Sequence, residues 1–203
     1  MIKRLVPQIA VAVIGAVAVI ALGGVSSRLA ARRPPIMVDS TSALAVVQAQ
    51  LADTRRELDR AHQVLEFSGL YGIPADLSAK IYDNAVDAGI PPAVGFQLVR
   101  IESDFHNDAE SDASAIGLTQ VRLPTARIYD PTVAASDLMN PDVNLRVGFH
   151  YLGDLLSRFD QNLPLALEAY NKGPTLVQAE MDLGSDVRGW YSRAVLAGAR
   201  HGS

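Results

Sequence analysis

Apolar side chains in this sequence recur mostly every three or four residues, which is the spacing of one face of an α-helix. From residue 68 onwards glycine and proline interrupt the pattern, and no stretch alternates apolar and polar residues over the length of a strand. One helix is predicted from Pro74 to Gly89 and another from Pro92 to Ser103, because proline favours the start of a helix and glycine its end. The pattern therefore predicts an all-α fold without strands.

The most apolar part of the chain lies near its N-terminus. Ile9 to Val25 form a run of seventeen residues without a charged or strongly polar side chain, and Lys3 and Arg4 precede this run. Because a membrane-spanning helix needs about 20 such residues, we expect residues 1–33 to form a retained anchor. The alternative is a cleaved signal peptide, although the apolar core of such a peptide usually has only about 7–15 residues. Both interpretations place the rest of the chain outside the cytoplasm.

A linker and a second long helix occupy residues 34–67, and this helix is predicted to start near Ser40, a suitable N-cap. Every seventh position of the helix is leucine: Leu44, Leu51, Leu58 and Leu65. This heptad stripe can pair two chains in a weak coiled-coil dimer through residues 44–65, or it can pack on the chain's own domain. We favour the second interpretation, because Thr54 and Ala61 weaken the other seam of the heptad.

Charge divides the chain into two parts. Residues 1–38 carry five basic side chains and no acid, whereas residues 67–203 carry ten basic and seventeen acidic side chains, a net charge of −7. An acidic domain repels phosphate backbones, which argues against nucleic acid as a ligand. Cysteine is absent from the sequence, so disulfides, thiolate metal sites and cysteine nucleophiles are excluded. The histidines show no ligand spacing, and no metal or cofactor is predicted.

Glu102 is the most informative residue of the helix predicted at 92–103. Gly95, Leu98 and Val99 share its helix face. A carboxylate on an apolar face is costly to ionise, so the pKa of Glu102 should lie above its ordinary value, as a general acid requires near neutral pH. The alternative is a glutamate at a helix end that turns to solvent.

Three sequence motifs occur in a fixed order along this region. Glu102-Ser103 ends one predicted helix, Gly-Leu-Thr-Gln follows at 117–120, and Ala-Tyr-Asn-Lys-Gly-Pro stands at 169–174. The ordered set resembles the catalytic domains of the soluble-lytic-transglycosylase type, which are similar to goose-type lysozyme. The resemblance covers roughly residues 75–195.

The resemblance implies a lysozyme-like helical catalytic domain, which we place at residues 68–203, after the anchor or signal segment of 1–33 and the stalk of 34–67. Two positions depart from the family pattern. Thr119 stands where the family usually has methionine, and Val-Arg-Leu-Pro at 121–124 stands where it usually has a Met-Pro pair. These departures concern the shape of the cleft more than its chemistry.

By the resemblance, the chain is a lytic transglycosylase that binds the peptidoglycan glycan strand and cleaves the bond between N-acetylmuramic acid and N-acetylglucosamine to leave a 1,6-anhydro end. Glu102 then acts as both acid and base. The resemblance assigns Tyr170 to holding Glu102 or the substrate N-acetyl group, Gln120 and Asn171 to sugar contacts, and Ser103 to a nearby hydrogen bond. Each of the last four residues also has a structural alternative, such as a core aromatic ring or a helix cap.

Two other functions stay open at the level of sequence: a hydrolytic muramidase with the same fold, and a wall-binding or scaffold module that has lost catalysis. The resemblance and the apolar run together predict a periplasmic domain held at the inner membrane, opening the wall locally for an envelope-spanning assembly. Two apolar stripes are expected in the core. They are Leu145, Phe149, Leu152, Leu156 and Phe159, and Val187, Trp190, Tyr191, Ala194 and Val195. Trp190 is also a candidate for lining the cleft.

Overall fold

A computed structural model describes residues 40–200, which are mostly helical. Its helices in chain order are α1 (Ser40–Tyr71), α2 (Ala75–Asp87), α3 (Pro92–Ser103), α4 (Leu123–Tyr129), α5 (Pro141–Arg158), α6 (Leu163–Lys172), α7 (Pro174–Asp182) and α8 (Trp190–Ala199). A 3₁₀ turn at Ala135–Met139 precedes α5. The predicted helix at 92–103 is confirmed as α3, with proline in its first turn as expected. Proline also occupies the first turn of α4, α5, α6 and α7.

The expectation that the fold contains no strands is wrong. Strands β1 (Ala115–Ile116) and β2 (Val121–Arg122) form an antiparallel pair in which Ala115 lies opposite Arg122 and Ile116 opposite Val121. Each strand has two residues, so neither is long enough to show the alternation by which a strand is recognised in a sequence. The hairpin carries the motif of residues 117–120 in its turn.

The core is built around α3, which packs between α2 and α8, and the ring of Phe149 of α5 lies against its Gly95. Phe96, Leu98 and Val99 of α3 are fully buried. The first predicted stripe is confirmed as core, since all of its members are buried: Leu145, Phe149, Leu152, Leu156 and Phe159. This packing fixes the end of α3, where Glu102 lies.

The second predicted stripe is confirmed only in part. Val187, Tyr191 and Val195 are buried, but Trp190 is 62% exposed and lies edge-on against the ring of Tyr191. Consecutive helical residues point about 100° apart, so the adjacent Trp190 and Tyr191 cannot both face the core.

Helix α1 packs on the domain core near its C-terminal end, and Arg60 further up the helix pairs with Asp83 of α2. Val64 and Phe67 are buried, and the ring of Phe67 stacks on Phe96 with 4.2 Å between ring centroids. The hydroxyl of Ser78 donates to the carbonyl of Val64 at 2.7 Å. The interpretation that the heptad stripe packs on the domain is wrong, because its four leucines are 50–67% exposed. The buried positions lie on another face of the helix.

The anchor or signal segment predicted for residues 1–33 lies outside the described residues. Within the part of the chain that the structure describes, no helix is both long and apolar enough to span a bilayer.

Candidate active site

Glu102 lies in the last turn of α3, where the chain leaves the helix abruptly. Asp104 and Phe105 both adopt left-handed backbone conformations, with φ of 48° and 65°, which turn the chain towards the hairpin. The hydroxyl of Ser103 contacts the carbonyls of Val99 at 3.1 Å and Leu118 at 2.9 Å. The end of α3 is thereby tied to the hairpin turn, and Glu102 faces the space between the hairpin and α6.

This space is a cleft of about 450 Å³. One wall comes from the loop after α3, the hairpin and α4: Ser111, Ala113, Ala115, Gln120, Val121, Arg122 and Thr125. The other comes from α5, α6 and the start of α7: Tyr151, Tyr170, Asn171, Lys172 and Gly173. Glu102 lies on the cleft surface and is its only carboxylate among the described residues.

Burial changes the protonation of Glu102. Loss of water around the carboxyl raises its pKa from 4.5 to about 7, although a hydrogen bond from the Tyr191 hydroxyl to Oε1 partly opposes the rise. Glu102 is therefore about half protonated at neutral pH. The sequence-based expectation of a raised pKa is confirmed, and the group suits proton donation and proton acceptance in one reaction.

Tyr191 is the site residue that the sequence analysis missed. It was expected in the core, and its ring is indeed buried, but its hydroxyl reaches Glu102 from α8. A buried tyrosine hydroxyl needs a polar partner, which was the available signal. The sequence could not identify the partner, because 89 residues separate the two positions.

Asn144 of α5 holds the hairpin turn in place. Its side chain is fully buried, and Nδ2 donates to the carbonyls of Ile116 and Leu138, each at 2.8 Å. Its Oδ1 accepts the backbone N–H of Thr119 at 2.8 Å. Gly117 has φ of 77°, and a Cβ at this position would collide with the Asn144 amide. Glycine is thus required at the first position of the motif.

Thr119 points away from the cleft. Its side chain is fully buried, and its hydroxyl lies 2.7 Å from Asn144 Oδ1. A Cβ on Gly148 would collide with Thr119, so α5 and the hairpin approach closely here. The departure from the usual methionine therefore changes the packing behind the cleft wall, whereas Val121 and Arg122 change the wall itself.

The predicted sugar-contacting residues Gln120 and Asn171 both line the cleft. Gln120 has a left-handed backbone, with φ of 47°, and its Nε2 donates to the carbonyls of Ala109 and Gly117, each at 3.0 Å. Its amide is thus held firmly in the wall. Asn171, at the end of α6, is exposed.

Tyr170 also lines the cleft, but one of the two roles assigned to it needs correction. Its hydroxyl donates to the carbonyl of Thr119 at 2.7 Å, and the hydrogen bond to Glu102 comes from Tyr191 instead. The charge of Glu102 still contributes to the raised pKa of Tyr170, after burial, so the two groups are near neighbours. Tyr170 braces the hairpin and presents its ring to the cleft.

The acidic side chains that follow α3 do not line the cleft. Asp108, Glu110 and Asp112 are all exposed in the loop after α3, and within residues 40–200 no second carboxylate accompanies Glu102 in the cleft. Among residues 40–200, no three histidine, aspartate or glutamate side chains cluster closely enough to hold a metal ion.

Comparison with known proteins agrees with this geometry. The family model described as Transglycosylase SLT domain matches residues 81–188, which include Glu102 and both downstream motifs. An inactive glutamate-to-glutamine mutant of lytic transglycosylase Slt from Pseudomonas aeruginosa is 30% identical, with a TM-score of 0.55 over 61% of this chain. The 70 kDa soluble lytic transglycosylase from Escherichia coli shares the fold at 23% identity, with a TM-score of 0.56 over 64% of this chain. The matches span 23% and 24% of those two proteins, about a quarter of their lengths.

Proposed function

This chain belongs to the transglycosylase SLT domain family, and we propose from that membership that it cleaves the β-1,4 bond between N-acetylmuramic acid and N-acetylglucosamine in peptidoglycan. The products are a free N-acetylglucosamine end and a 1,6-anhydro-muramoyl end. The observation that carries the proposal is Glu102, the one carboxylate that the described part of the chain places in the cleft, whose pKa of about 7 lets it serve as acid and base in turn.

In the first step the protonated Glu102 donates to the glycosidic oxygen, and the bond from that oxygen to the anomeric carbon breaks. The substrate's own N-acetyl group stabilises the positive charge left on the sugar. The Glu102 carboxylate then takes the proton of the muramoyl 6-hydroxyl, whose oxygen bonds to the anomeric carbon. Glu102 ends protonated, as it began, and no water is consumed. Because the 6-hydroxyl belongs to the same sugar as the anomeric carbon, its attack is intramolecular and no nucleophile has to be recruited from solution.

The residues on the two walls of the cleft have separate tasks in this proposal. Gln120 and Asn171 contact the sugars, and the ring of Tyr170 offers a surface beside the reacting residue. Tyr191 keeps the Glu102 carboxyl oriented. Ser103 acts indirectly, by fixing the end of α3 against the hairpin.

Digestion of purified peptidoglycan followed by mass spectrometry tests the proposal. The full-length chain should release anhydro-muropeptides, and Glu102→Gln should release none. Glu110→Gln is the matched control, since it makes the same change at an exposed glutamate outside the cleft wall, and it should retain activity.

Two results would favour the alternatives. Products heavier by one water would indicate a hydrolytic muramidase. Binding to peptidoglycan without any product from the wild-type chain would indicate a wall-binding module.

We also propose that residues 1–33 hold the domain at the inner membrane with the catalytic part in the periplasm, where it opens the wall locally for an envelope-spanning assembly. The support is the apolar run of Ile9–Val25 behind Lys3 and Arg4. Membrane fractionation and N-terminal sequencing test this. Recovery of the intact N-terminus in the membrane fraction supports an anchor, and a shortened chain in the soluble fraction contradicts it.

The exposed leucines of residues 44–65 support a further proposal, a weak dimer through this part of α1. Sedimentation equilibrium should show self-association that Leu51→Glu weakens. Val46→Glu is the control, since Val46 is equally exposed but lies off the leucine stripe. A wild-type chain that stays monomeric at high concentration would rule out the dimer.

A further inference from the structure

We propose that Glu168 is a positioning residue for the active site: its carboxylate holds the first turn of α8 and thereby places the Tyr191 hydroxyl on Glu102. This inference rests on the proposed function of Glu102. It concerns a residue of α6 that does not line the cleft.

The carboxylate of Glu168 replaces the missing cap of α8. Glu168 is fully buried, and its Oε1 accepts the backbone N–H groups of Gly189 at 2.8 Å and Ser192 at 2.9 Å. These N–H groups belong to the N-cap and to the third residue of α8. A helix starts with N–H groups that lack partners inside the helix, and a side chain at the N-cap usually satisfies one of them. Glycine has no such side chain, so the acceptor comes from α6.

Gly189 is matched to this arrangement. A Cβ at Gly189 would lie 2.6 Å from Oε1 and 2.7 Å from Cδ of Glu168, closer than real side chains approach. The backbone of Gly189 has φ of −93°, which any residue can adopt. A side chain at position 189 would therefore have to displace the carboxylate from the helix end.

Glu168 stays charged although it is buried. Burial raises the pKa of this carboxyl, but the hydrogen bonds from Ser192 and Gly189, together with the charge of Lys172, outweigh it, and the pKa lies below its ordinary value. The ammonium of Lys172 lies 3.6 Å from Oε2. A negative charge at the N-terminus of a helix is also favoured by the helix dipole.

The held turn of α8 contains Tyr191. This residue lies between Gly189 and Ser192, the two donors to Glu168, and its hydroxyl donates to Glu102 from the same turn. Displacement of the turn would move the tyrosine hydroxyl away from Glu102. If core packing alone placed Tyr191, changing Glu168 would lower stability without changing the protonation of Glu102.

Among the described residues, few charged or titratable groups lie near Glu102 and Glu168. Tyr191 of α8 and Tyr170 of α6 face Glu102. Lys172 of α6 and Tyr191 face Glu168. The hydrogen bond from Tyr191 lowers the pKa of Glu102, so its loss should raise that pKa further.

The test is a double-mutant cycle on the full-length protein with Glu168→Gln and Tyr191→Phe. The pKa of Glu102 is followed by carbon-13 NMR of its side-chain carboxyl, and the rate of anhydro-product formation is followed against pH. Glu180→Gln is the matched control, because Glu180 contacts Lys172 at 3.2 Å but makes no bond to α8.

Tyr191→Phe should raise the Glu102 pKa by about half a unit to one unit, the effect of one lost hydrogen bond. Glu168→Gln should shift it in the same direction and lower kcat about tenfold, with KM little changed, because a small misplacement of a catalytic group slows the reaction itself. In the double variant Glu168→Gln should add no further shift. Glu180→Gln should leave the pKa where it was.

Gly189→Ala is the second variant, which keeps the charge of Glu168 and only displaces it. It should raise the Glu102 pKa as Glu168→Gln does. If Glu168→Gln does not fold, Gly189→Ala takes its place in the test. An unchanged Glu102 pKa in a folded variant at either position, or shifts that add in the double variant, would overturn the inference. A wild-type chain without product would refute the proposed function instead, since the NMR titration reads the coupling without any activity.

Discussion

Glu102 and Glu168 are two buried or largely buried carboxyls in one helical domain, yet their pKa values move in opposite directions. That of Glu102 rises to about 7, whereas that of Glu168 falls below its ordinary value. Burial is the largest single influence on both, and in both it acts to raise the pKa. By exposed surface Glu168 is the more completely buried of the two, so burial alone would raise its pKa further than that of Glu102 and does not explain the difference.

The difference lies in the donors that each site supplies. Glu102 accepts a hydrogen bond from one neutral hydroxyl, that of Tyr191. Glu168 accepts two backbone N–H groups at a helix end and has the ammonium of Lys172 nearby. Hydrogen bonds and charges that favour the ionised form can outweigh desolvation. The protein thus keeps one carboxyl neutral enough to donate a proton and keeps the other charged.

The largest expected effect on stability comes from removing Glu168, the carboxyl that stays charged. Glu168→Ala should lower the free energy of unfolding at pH 7 by about 3–5 kcal/mol, because it leaves the N–H groups of Gly189 and Ser192 without their acceptor and removes one of the two carboxylates beside Lys172. Urea denaturation measures this. Since the folded pKa of Glu168 is lowered, the stabilisation is present above the unfolded pKa and is lost as pH falls through the folded value.

Glu180→Ala is the control for that measurement. Glu180 is partly exposed and contacts the same lysine, so its loss should cost about 1 kcal/mol or less. Equal losses at Glu168 and Glu180 would mean that the two backbone N–H groups contribute little.

The next effect has the opposite sign. Glu102→Gln should stabilise the fold by up to about 3 kcal/mol at pH 8, since ionising Glu102 in the folded state is penalised by the rise of its pKa from 4.5 to about 7. The stability associated with Glu102 is present below the unfolded pKa and is lost as pH rises through about 7. The advantage of the variant should therefore disappear at pH 4, as denaturation at both pH values will show. A variant that is less stable than the wild type at pH 8 would contradict the prediction.

The raised pKa of Glu102 and the bounds of α3 could both be predicted from the sequence. Gly95, Leu98 and Val99 share a helix face with Glu102, and a local periodicity of this kind reports which positions become buried. The structure confirms the helix and the direction of the pKa shift.

The donors could not be predicted, because they reach both carboxyls from distant parts of the chain. Tyr191 is 89 residues from Glu102, and Gly189 is 21 residues from Glu168. Periodicity correctly placed the Tyr191 ring in the core, but it contains no information on where the hydroxyl at the tip of the ring points. Glu168 directly precedes the motif of residues 169–174, and nothing local marks a glutamate there as the cap of another helix.

Turnover should also depend on pH, because the protonation of Glu102 changes near pH 7. Because Glu102 must be protonated to donate, the rate of anhydro-product formation should fall as pH rises above about 7, approaching tenfold for each further unit. The rate is measured by product mass spectrometry between pH 4 and 9. A rate that already falls between pH 4 and 5 would mean that Glu102 has an ordinary pKa in the working enzyme.

The smallest expected effect distinguishes the contribution of the Lys172 ammonium from that of the two backbone N–H groups that bind Glu168. Lys172→Met keeps the aliphatic stem but removes the ammonium, and we expect it to lower the free energy of unfolding by only about 1 kcal/mol, because a partly exposed ion pair contributes little. Glu168 should stay ionised through Gly189 and Ser192, as carboxyl NMR at pH 7 will show. A loss of 3 kcal/mol or more, with Glu168 protonated, would instead mean that a nearby lysine alone distinguishes Glu168 from Glu102.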